Sequence, residues 1–323
     1  MELNRKQFLV SSCQLDLTFL KKLFKLTDKI KKISSSDKGL SKLNELISHK
    51  RAVLFFNQPS TRTFLSFANA CHMLGIKISD VRDSSKSSEA KGESFEDTIL
   101  TMSNYADMII MRHELRDSSE RAAETLTRYN RRTLLINAGS GSNEHPTQAL
   151  LDVYTMQQYF KLGKEKINLL ICGDLKRGRA VNSLIYLITK YPKLKLTLVS
   201  PEKFKINESM TTFLAENNIK FDESNDLNAC LADANVVYMT RIQDEYDVGN
   251  ESKEIDLSSY SLSQNNINLV GKNSIILHPL PRRSELSPEI DFDSRAKFWE
   301  QEENGLWIRA ALLVIMFKVD KNI

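Results

Sequence analysis

The sequence predicts an α/β protein made of two doubly wound parallel-sheet domains linked by helices. Short apolar runs recur along the whole chain with helix-spaced segments between them, the pattern of strand–crossover–strand units. Several of those runs are apolar without alternation, as strands covered on both faces are. At 323 residues the chain is long for one core and fits two. The expected division is residues 1–146, completed by a C-terminal helix over 303–323, and residues 147–302.

Residues 15–49 read as helical, with Leu20, Leu23 and Phe24 on one face and basic residues on the other. Ala52 to Phe56 reads as a buried parallel strand. Phe64, Phe67, Ala68 and Cys71, spaced three and four apart, then mark an amphipathic helix. Between them stands Pro59-Ser60-Thr61-Arg62-Thr63, three hydroxyls and a guanidinium at a first helical turn. Free backbone N–H groups and the positive end of the dipole make such a turn a ready anion site, and Arg62 adds a fork that matches phosphate oxygens. An ordinary Ser/Thr N-cap beside a solvated arginine has the same sequence.

Gly75 stops that helix, and Ile76 to Ile78 forms a strand. The polar, Ser-rich segment 83–93 is expected to be a mobile loop, either a solvated linker or, through Lys91 next to Gly92, a hinged cation able to reach a bound anion. Phe95, Ile99 and Met102 share a helix face. Met108 to Met111 is a buried strand ending in Arg112-His113, where open α/β sheets place their ligands. Leu134 to Ile136 is the next strand and runs into a loop, Asn137 to Ser142. Pro146 opens a helix with Leu150, Val153 and Tyr154 on one face. His145 and Gln148, three apart, fit a site above the sheet, although a lone histidine before a helix also fits a cap.

The second half repeats the alternation. Ile167 to Cys172 is a strand, followed by a turn, Gly173 to Arg179, and a helix from about Val181. The misplaced glycines of that turn argue against a dinucleotide-binding dehydrogenase. Leu196 to Val199, Val236 to Met239 and Ile275 to Leu277 supply further strands. The last two lead into Thr240-Arg241-Ile242-Gln243 and His278-Pro279-Leu280-Pro281-Arg282. Leu306 to Phe317 is apolar nearly all round and predicts a buried helix that returns the chain to the first domain.

A net charge of +4 on 45 basic and 41 acidic residues is too balanced for a nucleic-acid protein but allows an anionic small molecule. The longest wholly apolar run, Ala310 to Phe317, cannot span a bilayer. Four scattered cysteines, Glu2 and the lack of an apolar leader core lead to the expectation of a cytoplasmic protein. The five histidines show no metal-ligand spacing. Strand ends carry Arg62, Arg112, Arg179 and Arg241. Such a crowd of cations predicts ligands with at least two anionic groups, one for each domain.

On five motifs in order, the chain resembles the aspartate/ornithine carbamoyltransferase family over essentially its whole length. These are Pro59 to Thr63, His145 to Leu150, Gly173 to Lys176 with Gly178-Arg179, Tyr238 to Arg241 with Gln243, and His278 to Arg282. Asn304-Gly305, Arg309 and Ala311 to Leu313 fit the family's closing helix. Pro279 stands where the ornithine branch typically has Cys, which favours the aspartate branch. The resemblance implies transfer of the carbamoyl group of carbamoyl phosphate to the amino group of aspartate, in pyrimidine biosynthesis, with no cofactor and no metal.

By the same resemblance Ser60, Thr61, Arg62 and Thr63 would cradle the phosphate, and Arg112 would bridge it to the carbamoyl oxygen. His145 and Thr63 would also donate to that oxygen, while Gln148 and the Leu280 carbonyl would hold the carbamoyl NH2. Arg179, Arg241 and Gln243, with Leu280, would take aspartate. Ser87 and Lys91 would arrive from a neighbouring subunit of a homotrimer, Lys91 reaching both substrates. Arg62, Thr63, Arg112, His145 and Lys91 would be the catalytic residues. Regulatory chains or dihydroorotase accompany some family members and stay open as partners.

The family usually has Glu at Gln58, a basic residue at Phe64, Glu at Ala68 and Asp at Ser140, and often basic residues at Asp244 and Tyr246. Asp244, a carboxylate beside a dicarboxylate site, is expected to point away from the pocket. Two other readings stay open: carbamoyl transfer to another amino acid or amine, and a non-catalytic scaffold paralogue. Retention of Arg62, Arg112, His145 and Lys91 speaks against the second.

Overall fold

The computed structural model describes residues 7–82, 92–244, 247 and 256–323. Ser87, Lys91 and Tyr246 therefore lie outside the described residues, as does most of the Ser-rich segment. The chain divides into two compact units, Met1–Leu150 with Glu303–Ile323, and Leu151–Glu302.

The first unit is a five-stranded parallel sheet in the order β1-β5-β4-β2-β3, formed by β1 (Phe8–Leu9), β2 (Arg51–Phe56), β3 (Lys77–Val81), β4 (Met108–His113) and β5 (Leu134–Ser140). Its central strands are apolar runs because helices cover both faces, and Leu54, Phe55, Ile109, Ile110 and Ile136 are buried. The helices are α1 (Leu17–Ile33), α2 (Asp37–Glu45), α3 (Thr61–Met73), α4 (Phe95–Tyr105) and α5 (Ser118–Arg128). The stretch expected to be helical over 15–49 holds two helices. Ser34 and Ser35 bond back to the carbonyls of Lys31 and Lys32, and Ser36 caps α2 through the Gly39 N–H. Strand β5 also runs further than expected, through Asn137 to Ser140. The Asn137 side chain bonds Val10 O, Ser140 Oγ and the Gly139 N–H, and so supports a register shift opposite Arg112.

The second unit is a five-stranded parallel sheet in the order β10-β9-β6-β7-β8, formed by β6 (Ile167–Cys172), β7 (Leu194–Val199), β8 (Phe221–Ser224), β9 (Val236–Met239) and β10 (Ile275–Leu277). Its helices include α7 (Arg179–Ile188), α8 (Glu208–Glu216) and α9 (Leu227–Leu231). The chain passes from the first unit to the second within α6 (Pro146–Tyr159) and returns within α10 (Phe298–Met316). Residues Ala310 to Val314 of α10 are fully buried, and Lys22 and Lys29 of α1 fix the C-terminal segment through Asp320 and the Ile323 carbonyl. Among the described residues no helix is long and apolar enough to cross a membrane.

Each sheet reverses its winding once. In the first unit β3 lies on one side of β2 and β4 on the other; in the second, β7 and β9 flank β6 in the same way. The carboxyl ends of β2/β4 and of β6/β9 are therefore the switch points, where connections diverge and leave a crevice. At the second, the Gly173 and Thr240 turns abut. Gly173 has φ +134°, and a Cβ there would lie 1.9 Å from the Thr240 carbonyl oxygen. Gly173→Ala is expected to destabilise the protein by about 2 kcal/mol or more. A lower urea midpoint at unchanged slope is the measurement that checks it.

Candidate active site

At the switch point of the first unit, β2 ends opposite Arg112, and the Gln58 N–H donates to the Arg112 carbonyl at 3.4 Å. Helix α3 then begins. Ser60, in extended conformation, occupies the N-cap position, yet its hydroxyl makes no capping bond. The simple N-cap explanation of Ser60 thus does not hold, and the first turn of α3 keeps its N–H groups without that cap. Arg112 is almost fully buried, and its Nη1 donates to the Ala138 carbonyl at 3.4 Å.

Thr63 and His145, both buried, approach through Oγ1 and Nε2 at 3.4 Å. His145 directly precedes α6, and its carbonyl accepts from the Gln148 and Ala149 N–H groups. Gln148 follows one turn later on the same helix. The two first turns share a support that sequence reasoning placed only in the closing helix. Arg309 donates to Ser66 Oγ at 2.7 Å, lies 3.5 Å from Thr147 Oγ1, and stacks on Phe67 at 5.0 Å. Ser66 in turn bonds the Arg62 and Thr63 carbonyls.

At the switch point of the second unit the organiser is Asp174, which is fully buried. Its carboxylate accepts from Arg177 N–H and Nε and from the Gln243 N–H, so one side chain fixes the Gly173 turn and the Thr240 turn together. Arg179 is the first residue of α7, which starts two residues before the expected Val181. Arg241 keeps 17% of its side chain exposed, and its Nη1 donates to the Ile242 carbonyl at 3.1 Å. Asp244 does not point away, contrary to expectation: it lines the same concavity as Arg241, 3.8 Å from its guanidinium. Its second carboxylate oxygen bonds Arg283 at 2.7 Å, a residue sequence reasoning passed over although it directly follows the fifth motif.

Leu280 has φ +53°, a left-handed conformation rare for leucine, and precedes a cis proline. A buried relay holds it there. The Leu280 N–H donates to His278 Nδ1 at 2.8 Å, which leaves the ring proton on Nε2 to meet Glu285 at 2.8 Å. The His278 N–H bonds Gln301, Gln301 bonds Asp152, and Asp152 accepts from Tyr238. Burial alone raises the Glu285 carboxyl, but the bonds from His278 and the Arg283 N–H hold it below its ordinary value. Burial beside Asp152 pushes the Tyr238 hydroxyl well up, keeping it a neutral donor.

Each unit thus presents cationic and hydrogen-bonding groups at the switch point of a doubly wound sheet, as a protein that holds one anionic ligand per unit does. The sequence model of the aspartate/ornithine carbamoyltransferase carbamoyl-phosphate-binding domain matches residues 7–158, and that of the Asp/Orn-binding domain matches 165–316. The chain belongs to the aspartate/ornithine carbamoyltransferase family. It is 38% identical over 306 residues to the chloroplastic aspartate carbamoyltransferase of Arabidopsis thaliana, covering 94% of this chain and 76% of that protein. It is 37% identical to the aspartate carbamoyltransferase catalytic subunit of Clostridium novyi, covering 93% and 94%.

Among solved structures, the catalytic subunit of M. jannaschii aspartate transcarbamoylase superposes with TM-score 0.85 at 33% identity, covering 98% and 100%. The Trypanosoma cruzi aspartate transcarbamoylase in complex with carbamoyl phosphate and aspartate superposes with TM-score 0.86 at 28% identity, covering 97% and 98%.

Next to Arg112, His113 is buried against Phe55 and Phe95 and accepts the Leu115 N–H on Nδ1. Burial lowers its pKa below 6.5, with Glu114 opposing. A depressed folded value means that the unfolded chain binds the proton more readily. The contribution is therefore whole above about pH 6.5 and is lost as pH falls toward the folded value. His113→Asn, which keeps an acceptor for Leu115, should flatten the decline in urea midpoint below about pH 6.5 relative to the parent protein.

Proposed function

We propose that this chain transfers the carbamoyl group of carbamoyl phosphate to the amino group of L-aspartate, giving N-carbamoyl-L-aspartate and phosphate, a step of pyrimidine biosynthesis. The observation that carries this reading is the first turn of α3, lacking its Ser60 cap, beside the buried Thr63–His145 contact. In this reading Ser60, Thr61, Arg62 and Thr63 bind the phosphate, and Arg112, Thr63 and His145 face the carbamoyl oxygen. Gln148 and the Leu280 carbonyl take the carbamoyl NH2, while Arg179, Arg241 and Gln243 bind the two carboxylates of aspartate.

The chemistry follows from those roles. The amine attacks a carbonyl made poorly electrophilic by its own NH2, and negative charge builds on the oxygen. Donors already aimed at that oxygen stabilise the charge without reorganising, each typically worth about 10²–10³ in rate. Holding both substrates in line can contribute roughly 7–11 kcal/mol. The departing phosphate can accept the amine proton, so no separate strong base is required. Pro279 and the aspartate-branch relatives support aspartate over ornithine. Ser87 and Lys91 are proposed to act from a neighbouring subunit of a cytoplasmic homotrimer.

A colorimetric assay for carbamoyl-aspartate with purified protein tests the reaction, with L-ornithine as the rejected acceptor. Arg112→Ala is expected to lower kcat by about 10²–10³-fold with the fold intact. Activity with ornithine but not aspartate would overturn the acceptor assignment. If sites are shared, mixing inactive Lys91→Ala and Arg112→Ala proteins after subunit exchange should restore part of the activity; no recovery in confirmed mixed oligomers would count against sharing.

A further inference from the structure

We propose that Asp244 is an internal competitor for the guanidinium of Arg241, and that Arg283 holds it in check. Together they would set how tightly the second substrate is bound. The inference rests on Arg241 being an aspartate ligand. One Asp244 oxygen lies 3.8 Å from Arg241 Nη1 and the other 2.7 Å from Arg283 Nη1. The shorter contact is a hydrogen-bonded ion pair; the longer is Coulombic only. The three side chains line one concavity, which Tyr260 and Glu285 also line.

The supports of the two arginines differ. Arg241 is mostly buried and anchored on the Ile242 carbonyl, whereas 54% of the Arg283 side chain is exposed. The base of Arg283 is nevertheless fixed, because its N–H donates to Glu285 at 2.9 Å and Glu285 is held by His278. Arg282, one residue earlier, cannot take over the task. It is engaged by the Asp291 carboxylate through both Nη atoms and lies over the Phe298 ring at 5.3 Å. Glu285, the other carboxylate lining the concavity among the described residues, is turned to His278. A dicarboxylate arriving at Arg241 thus meets a carboxylate of the chain itself already within range. Arg283 draws that carboxylate to the far side of the concavity, and removing Arg283 takes away that pull.

The arrangement makes the two residues opposite in sign. Asp244→Asn should lower the KM for aspartate about three- to fivefold, the range an exposed ion pair can supply. Arg283→Ala should raise it by a similar factor. The kcat and the KM for carbamoyl phosphate should stay where they are, and the inhibition constant of succinate, aspartate without its amine, should move in parallel with the aspartate KM. The double variant separates restraint from direct attraction. If Arg283 only restrains Asp244, adding Arg283→Ala to Asp244→Asn changes nothing. If Arg283 itself binds substrate, the loss persists, and the restraint is overturned. An aspartate KM unchanged or raised in Asp244→Asn overturns the competition. Arg241→Ala is the control: if it leaves aspartate saturation unaltered, the assignment of Arg241 fails instead, whereas a large rise with Asp244→Asn silent sinks only the present inference.

Discussion

Parallel strands deliver every proposed ligand-facing group of this chain except those outside the described residues, and the constraint that shapes the site is what happens where such strands stop. Beyond the last ladder bond, backbone and side chains at a carboxyl edge need new partners, and a switch point keeps the next connection from covering them. In the first unit the answer is local: the Gln58 N–H meets the Arg112 carbonyl, and Arg112 turns to Ala138. In the second, the buried Asp174 carboxylate takes donors from two turns at once. Without that carboxylate, the Gly173 and Thr240 turns would have buried N–H groups to satisfy and no common anchor.

The cations at these edges fall into two groups by their partners. Arg177 is matched by Asp174 and Asp247, and Arg282 by Asp291, with aromatic rings beneath both guanidiniums. Such pairs are part of the frame. Arg241 is different, because Asp244, a carboxylate beside it among the described residues, stands at 3.8 Å and also bonds Arg283. The expectation that crowded guanidiniums demand external anions therefore holds less simply at this position: part of the counter-charge is built into the chain. A partner that weakly held can be exchanged for a substrate carboxylate at modest cost, whereas breaking Arg177 from Asp174 would strand a fully buried charge.

The sequence made the central strands legible because burial on both faces leaves uninterrupted apolar runs, as in β4 and β6. It concealed two of the four edge strands. Strand β1 has two residues, and β8, Phe221-Asp222-Glu223-Ser224, is largely polar because one side of an edge strand faces water. Helix α5 escaped notice because Leu126 is the one large apolar side chain on its buried face, which is otherwise Ala122, Ala123 and small hydroxyl residues. The site motifs were legible one by one. What joins them was not: Arg309 under the first turn of α3 bonds Ser66, 243 positions away, and the His278–Glu285 pair, 7 positions apart, supports a Leu280 backbone conformation that no residue type announces. Asp244 was misjudged for the same reason, since its partner Arg283 lies 39 positions away.

The departures from the family pattern share a physical theme. Where the family usually carries charge around the first motif, this chain has packing, a neutral bond and one guanidinium–ring contact. Phe64 packs edge-on against Phe56 with ring centroids 5.4 Å apart and receives the Arg82 guanidinium on its face at 4.2 Å. Ser140 accepts a neutral bond from Asn137, and Ala68 is simply buried. Packing of this kind fixes the first turn of α3 without adding charges that would compete for a bound anion. At Asp244 the exchange runs the other way, adding a carboxylate where the family often has a base. Against the usual family pattern, Gln58, Phe64, Ala68 and Ser140 are uncharged where that pattern has charge, whereas Asp244 places a carboxylate beside the group proposed to hold the diacid.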